Sequence, residues 1–178
     1  MLKIALNIRL EMDTHNIILD CDWFVLGSDR LIKQIAFFDC FTNQTKLYVF
    51  QFPDDFVIHA ADFTKQSMFS HKIPWFKKGF FRLSDVCCVL QTIKYIVNAG
   101  EDNIVFWAKG GEKSKILSSH GIIVNNLEDM ECPKFSELSD LEQTTMNKVK
   151  VFAKWFKGRN QFFEMQPIST SPAPFFYF

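Results

Sequence analysis

Apolar residues between positions 16 and 52 fall into three short runs, separated by residues that favour turns. The runs cover residues 16–24, 31–38 and 46–52, and Pro53 ends the third. Short apolar runs bounded by turn residues predict β-strands rather than helices. Because the intervening turns are short, we expect the three strands to form a meander.

The pattern changes in the second half of the chain, where helical and extended segments alternate. Residues 54–82, which come before this half, are aromatic and show no regular period. Ser84 or Asp85 could then cap a helix, because apolar residues follow them at helical spacing. The segments predicted from here on are a helix at 86–97, a strand at 103–108, a helix at 112–118, a strand at 122–127 and a helix at 139–157.

The predicted element order is therefore β-β-β-α-β-α-β-α. Alternating units after a meander imply an α/β fold, in which a mixed five-stranded sheet is flanked by helices. At 178 residues the chain fits one domain, which we expect to span residues 16–158. Residues 1–15 would form an N-terminal arm or an extra strand, and residues 159–178 would form a tail rich in Phe and Pro.

The composition narrows the class of protein and its compartment. Hydrophobic residues make up 48% of the chain, which indicates a packed interior rather than disorder. The 20 basic residues balance the 20 acidic ones, which argues against a surface that coats nucleic acid broadly but leaves room for a local basic groove. The five cysteines lack CxxC spacing and no long apolar stretch occurs, which favours an intracellular protein in a reducing compartment, without a membrane span.

Two carboxylates lie at the end of the first predicted strand. Asp20 and Asp22 are two residues apart, and side chains at this spacing point to the same face of an extended chain. Paired carboxylates in such a position are suited to holding a divalent cation. A solvated turn would use the same residues, so the pair predicts a metal site only if other ligands complete it.

The segment Ile18-Leu19-Asp20-Cys21-Asp22 resembles the first motif of the Asp-Glu-Asp-Asp family of 3′→5′ exonucleases, which have a ribonuclease-H-like fold. The following Ile32-Lys33-Gln34-Ile35-Ala36 resembles the Ile-x-Glu-Ile-Ala strand of that family. The resemblance covers roughly residues 16–157 and implies a ribonuclease-H-like sheet. It also implies that Asp20 and Asp22 are catalytic residues and ligands of Mg²⁺ or Mn²⁺.

The second motif departs from the family's pattern at its acid. Residues 106–117 resemble the apolar strand and helix of this motif, and the alignment places Lys113 where the family has Asp. Glu112 lies one residue earlier and is a candidate catalytic acid. Since neighbouring helix residues point about 100° apart, Glu112 replaces that Asp only if the helix is shifted or rotated.

The third motif departs in a similar way. Residues 143–148 fall in its frame, with Gln143 in place of the family's His and Lys148 in place of its final Asp. Asp140 lies nearby and is the last candidate catalytic acid. At ~4 Å, two single positive charges repel each other by ~4 kcal/mol at an effective dielectric near ~20. A lysine at position 113 or 148 would therefore oppose the binding of a metal ion beside it. We therefore expect at most weak binding of one Mg²⁺ or Mn²⁺, or no cofactor at all, and no efficient two-metal catalysis.

Basic and aromatic residues mark two candidate surfaces for single-stranded nucleic acid. Trp75, Lys77 and Lys78 lie in a segment where the two kinds interleave, as in surfaces that stack bases and neutralise phosphates. Lys109 and Lys113 lie near a predicted helix N-terminus that could hold phosphate. Core aromatics and solvated lysines would give the same patterns.

The aromatic run Phe175–Phe178 would be costly to leave in water. It is expected either to pack onto the domain or to enter a groove of a partner. Our first hypothesis is a degenerate exonuclease-like domain that binds nucleic acid or serves as an interaction module, and its size and composition favour a viral or mobile-element origin. The alternatives are an active metal-dependent 3′→5′ exonuclease and an assembly protein that self-associates through the tail.

Overall fold

The computed structural model describes residues 14–97 and 103–164. Of the predicted N-terminal arm, residues 1–13 lie outside the described part of the chain, and His15 already belongs to the first strand. Residues 159–164 belong to the last helix, while the aromatic run Phe175–Phe178 lies outside the described residues. The role of that run therefore stays a prediction.

Three long strands form the antiparallel part of the sheet. They are β1 (His15–Leu26), β2 (Asp29–Asp39) and β3 (Thr45–Gln51). β1 pairs with β2, and β2 pairs with β3. Gly27 has a φ of 60° in the two-residue turn between β1 and β2, a conformation that suits glycine. The predicted meander is confirmed.

Two parallel strands extend the sheet beyond β1, and a short strand extends it beyond β3. β5 (Ile104–Ala108) pairs with β1, β6 (Val124–Asn126) pairs with β5, and β4 (Phe81–Arg82) pairs with β3. The order across the sheet is β4-β3-β2-β1-β5-β6. The predicted α/β class with a mixed sheet is confirmed, but the prediction of five strands is wrong, since the described residues form six. No pattern predicts β4, because two residues are too few to show a period.

Helices cover both faces of the sheet. They are α1 (Ala60–Gln66), α2 (Val86–Ile96), α3 (Gly111–Ser118), α4 (Phe135–Leu138) and α5 (Thr145–Glu164). α2 and α3 share a core with Ile17, Leu19 and Cys21 of β1. α4 and α5 share the opposite core with Ile18 of β1 and Ala36 of β2. Within the described residues, no helix has both the length and the apolar character that crossing a membrane requires.

The last helix begins and ends later than the pattern at 139–157 predicts. The Thr144 hydroxyl accepts a hydrogen bond from the Asn147 N–H at 3.2 Å, as an N-cap residue does, so the helix starts at Thr145. It continues through Gly158, because one glycine inside a helix costs only about 1 kcal/mol. The later start places the first turn of α5 against Asp22 in the middle of β1.

Residues 52–80, which we call the cap, lie between β3 and β4. The sequence predicts no regular structure here, but the cap contains α1, a 3₁₀ segment (Asp54–His59) and a π-helical turn (Ser67–His71). Phe52 and Phe63 of the cap are buried together with Phe24 of β1. This small aromatic core joins the cap to the sheet.

Candidate site on the first strand

Asp20 and Asp22 lie on the face of the sheet that α5 covers. They continue the row begun by Ile18, which packs under α5, because side chains two residues apart share a face of a strand. Asp20 is 0% exposed and Asp22 is 8% exposed. The pairing of β1 with β2 shifts directly after Asp22, and such a bulge bends a strand. The two carboxylates therefore lie in the middle of β1, just before this bulge, and the prediction that they end the strand is wrong, because β1 continues to Leu26.

The parallel pairing of β1 with β5 sets the position of Lys113. Leu19 lies opposite Ala108, the last residue of β5. Gly110 then turns the chain into α3 with a φ of 104°, which favours glycine. The first turn of α3 consequently stands beside Asp20, and the Lys113 ammonium donates a hydrogen bond to Asp20 Oδ1.

Lys148 reaches both carboxylates from α5. Its Nζ lies 3.4 Å from Asp22 Oδ1 and 3.7 Å from Asp20 Oδ2. Within the described residues, Asp20 Oδ2 accepts no hydrogen bond, so its polar partner is this ion pair with Lys148. Two aspartates and two lysines thus form one cluster, in which positive and negative charges balance.

A hydroxyl and an amide complete the surroundings of Asp22. Thr145 is buried at the start of α5 and donates to Asp22 Oδ2. Gln34 Nε2 lies 3.4 Å from the same oxygen and donates to Thr145 Oγ1. No pattern in the sequence indicates Thr145, because its contact with Asp22 joins distant parts of the chain. Gln34 does have a signal, since it stands at the Glu position of the strand that resembles Ile-x-Glu-Ile-Ala.

Burial and the lysines act on the aspartates in opposite directions. Complete burial raises the pKa of Asp20 above its ordinary 3.8, although Lys113 and Lys148 oppose this shift. Burial also acts to raise the pKa of Asp22, but the two lysines and the Thr145 hydroxyl outweigh it and hold this pKa below 3.8. Burial acts to lower the pKa of Lys113, but both aspartates hold it above 10.5, so this side chain stays an ammonium at neutral pH.

The stability advantage of the wild type over an Asp22→Asn variant should be largest above pH 3.8. The pKa of Asp22 is lower in the folded chain than its ordinary 3.8, so the ionised form stabilises the fold above that pH. This contribution is lost as the pH falls through the folded-state pKa. Urea unfolding from about pH 3 to about pH 7 measures the difference. Glu112→Gln, which removes an exposed carboxylate, is the control, and an Asp22→Asn difference that is the same at every pH would contradict the prediction.

The side chains of this cluster do not fit a pair of divalent cations. Two-metal hydrolysis needs several carboxylates around ions that lie about 4 Å apart. In the part of the chain that the structure describes, no three His, Cys, Asp or Glu side chains form a group that could hold a metal ion. The ammonium groups of Lys113 and Lys148 also contact the carboxylate oxygens that a metal ion would require. The protein's own cations therefore neutralise the pair.

Glu112 and Asp140 are placed away from the two aspartates. Glu112 accepts a hydrogen bond from Arg30 Nε at 3.0 Å, and its side chain is 59% exposed. Because neighbouring residues of a helix point about 100° apart, the contact of Lys113 with the buried pair turns Glu112 outward. Asp140 is exposed in the segment before α5. The geometry gives neither acid a place in a shared carboxylate cluster.

A cleft of about 1110 Å³ opens beside the cluster. One side is formed by Asp22, Lys113 and the start of α5, including Lys148. The cap forms the other side, with Gln66, Ser70, Lys72, Ile73, Pro74 and Lys77. Among the described residues, neither Lys72 nor Lys77 belongs to an ion pair. The cap lysines therefore bring uncompensated positive charge to the cleft.

The residues predicted to bind nucleic acid do not all reach this cleft. Lys77 and Lys113 line it, and Lys78 is exposed on the cap. Trp75 and Lys109 have partners inside the protein. The Trp75 ring centroid lies 6.1 Å from that of Phe63, and Lys109 Nζ lies 3.2 Å from a carboxylate oxygen of Glu128.

Comparison with known proteins adds no family to this description. No protein-family model matches the chain, and a search of the curated proteins finds no significant match. The fold and the site together define the class: an α/β domain with a mixed sheet, in which two lysines neutralise two buried aspartates in the middle of β1.

Proposed function

We propose that this chain is a degenerate exonuclease-like domain that binds single-stranded nucleic acid and does not hydrolyse it. The observation that carries the proposal is the contact of Lys113 and Lys148 with Asp20 and Asp22. In the two-metal chemistry of the resembled exonucleases, metal ions neutralise such carboxylates and hold the phosphate. Here two ammonium groups neutralise the carboxylates, so a phosphate could approach them without a metal, and the cap lysines would supply the charge that holds it.

The topology supports the ribonuclease-H-like part of the proposal. A meander is followed by two parallel strands on the other side of β1, which is the element order that the resemblance implies. This order brings the middle of β1 and the end of β5 together with the start of α5. The two lysines that meet the aspartates are the residues that align with the acids of the family's second and third motifs.

The chemistry of the cleft supports an anionic ligand. Four lysines line it against two acids, Asp22 and Glu142. A phosphate chain would meet the uncompensated positive charge of Lys72 and Lys77 on the cap, while Lys113 and Lys148 keep the two aspartates from repelling it. Phe69 and Phe76 of the cap are 85% and 71% exposed, and each is adjacent in sequence to a residue that lines the cleft. Exposed rings beside lysines suit stacking with unpaired bases.

The same cleft is poorly equipped for hydrolysis. Gln143, at the position of the family's general base, lines the cleft, and an amide cannot take a proton from water at neutral pH as an imidazole does. Asp20 and Asp22 are engaged by the lysines. These observations favour a binding module over the alternative of an active exonuclease.

Fluorescence anisotropy with a fluorescein-labelled single-stranded DNA tests the proposal. The affinity should fall with rising salt, because lysines release counterions from phosphates. Lys72→Glu/Lys77→Glu should weaken binding by about 10-fold or more, because four units of charge change in the cleft. Lys65→Glu/Lys115→Glu makes the same charge change on exposed lysines outside the cleft lining and is the matched control. Absence of binding at low salt, or equal losses in the two variants, would contradict the proposal.

A further inference from the structure

The cap carries one side of the cleft, so its position decides where Lys72 and Lys77 stand. It leaves the sheet after β3 and returns to it at β4, which pairs with β3 in parallel. The cap is thus an insertion whose two ends meet at the same edge of the sheet. A contact that joins the two ends of the cap would therefore hold the cap side of the cleft in position.

A buried lysine joins the two ends. Lys33 of β2 is 0% exposed, and its Nζ donates to the backbone carbonyls of Phe50 and Lys77, at 2.7 Å in each case. Phe50 lies at the end of β3, just before the cap, and Lys77 lies near the end of the cap. The Phe52 ring lies 4.8 Å from the same ammonium. One side chain therefore contacts the entry and the exit of the insertion.

A fully buried lysine is unusual, which indicates that the hydrogen bonds donated by the Lys33 ammonium group are important for the structure. Among the described residues, Lys33 has no carboxylate partner. Burial, together with the charge of Lys77, lowers the pKa of Lys33 to about 8, so it remains mostly protonated at neutral pH. An apolar side chain here would leave two carbonyl groups without their donor. Burying the ammonium group is costly, and its two hydrogen bonds to backbone carbonyls offset that cost.

Two further contacts hold the cap near its middle and near its end. The Gln66 amide donates to Val25 O at 2.8 Å and accepts from Val25 N–H at 2.6 Å. At Gly79 a Cβ atom would collide with the Val49 carbonyl oxygen, so the chain there lies directly on the backbone of β3. Lys33 donates to the carbonyl of Lys77, which lies between Gln66 and Gly79 in the sequence.

We propose that Lys33 is a positioning residue for the cleft: by joining the ends of the cap, it sets the separation between the cap lysines and the cluster of Lys113 and Lys148. That separation determines which spacing of phosphates the cleft accepts. The role rests on the proposed function for its ligand, while the anchoring of the cap can be measured without any ligand.

Lys33→Met tests this role, because methionine has a similar length and apolar stem but no donor. Hydrogen exchange followed by mass spectrometry should show exchange about 10-fold faster in residues 72–80, with α2 unchanged, since two hydrogen bonds to the cap are lost. The affinity for the labelled single-stranded DNA should fall about 5-fold or more, with a smaller salt slope. Lys46→Met, which changes an exposed lysine near the start of β3, is the matched control and should change neither quantity.

The outcomes separate this inference from the proposed function. Wild-type exchange rates in residues 72–80 of Lys33→Met would overturn the inference, whatever the DNA result. Faster exchange with an unchanged affinity would overturn the role of Lys33 in the cleft. If the wild type binds no DNA, the proposed function fails and the cleft role with it, while the exchange result still decides whether Lys33 anchors the cap. If Lys33→Met does not fold, Lys33→Gln replaces it as the test variant, because glutamine keeps an amide donor. It should show the same local increase in exchange to a smaller extent. Wild-type exchange rates in Lys33→Gln would contradict the proposal that Lys33 anchors the cap.

Discussion

Replacing Lys113 with methionine should lower the free energy of unfolding by about 3 kcal/mol. Asp20 is fully buried, and Lys113 is the residue that donates a hydrogen bond to it. Without that ammonium, Asp20 keeps only the more distant Lys148, whose Nζ lies 3.7 Å from Oδ2. Removing one partner of a buried ion pair is strongly destabilising, because the remaining charge stays in a medium of low dielectric constant. Urea unfolding followed by circular dichroism measures the loss.

Two further variants show whether this loss comes from the ion pair. Lys115 lies two residues further along α3 and is exposed. Lys115→Met should therefore lower the free energy of unfolding by less than about 0.5 kcal/mol. Asp20→Asn combined with Lys113→Met removes both charges and should recover much of the lost stability, because a neutral pair leaves no uncompensated charge. If Lys113→Met is no less stable than Lys115→Met, the cluster does not have the energetic role described here.

Exchanging both lysines for aspartate should turn the cluster into a metal site. In a Lys113→Asp/Lys148→Asp variant, four carboxylates would face one another, and their repulsion would make the metal-free protein less stable than the wild type. Mn²⁺ would relieve that repulsion, so the Tm of the variant should rise with added MnCl₂. At a concentration of ~100 Kd the stabilisation would be about 2.7 kcal/mol.

The wild type is the matched control for this experiment, because its ammonium groups already occupy the places beside Asp20 and Asp22. Its Tm should not change with MnCl₂ at constant ionic strength. A triple variant that adds Asp20→Asn should respond less than the double variant, since it lacks one of the four carboxylates. A double variant with no response to Mn²⁺ would mean that the lysines do not stand where a cation would bind.

Much of the sheet was predictable, because its central strands are long enough to show their pattern. The three strands of the meander and the strand at 103–108 are mostly apolar and bounded by turn residues, and α2 has clear helical spacing. β4 has only two residues, too few to show a pattern. α1 is short and lies in the aromatic cap, where packing on Phe63 rather than a repeat decides the conformation. The start of α5 was misplaced because the Thr144 cap lies behind a polar stretch that is also compatible with a helix.

The site was predictable only where local spacing or the resemblance carried information. The i, i+2 spacing identifies Asp20 and Asp22 as neighbours on one face of β1. The alignment with the exonuclease motifs singles out Lys113 and Lys148, but their contacts with the aspartates depend on the register of β5 and on the start of α5. Thr145 carries no such signal. Whether Glu112 or Lys113 meets the pair depends on the rotation of α3, which spacing alone does not determine.

The most direct test of the central claim compares binding of labelled single-stranded DNA in EDTA and in MgCl₂ at equal ionic strength, with the length of the strand followed on a denaturing gel. We expect the same Kd in both buffers and a strand that stays intact, because Lys113 and Lys148 already neutralise the carboxylates. Binding that requires Mg²⁺, or shortening of the strand that is abolished by Asp20→Asn, would contradict this expectation.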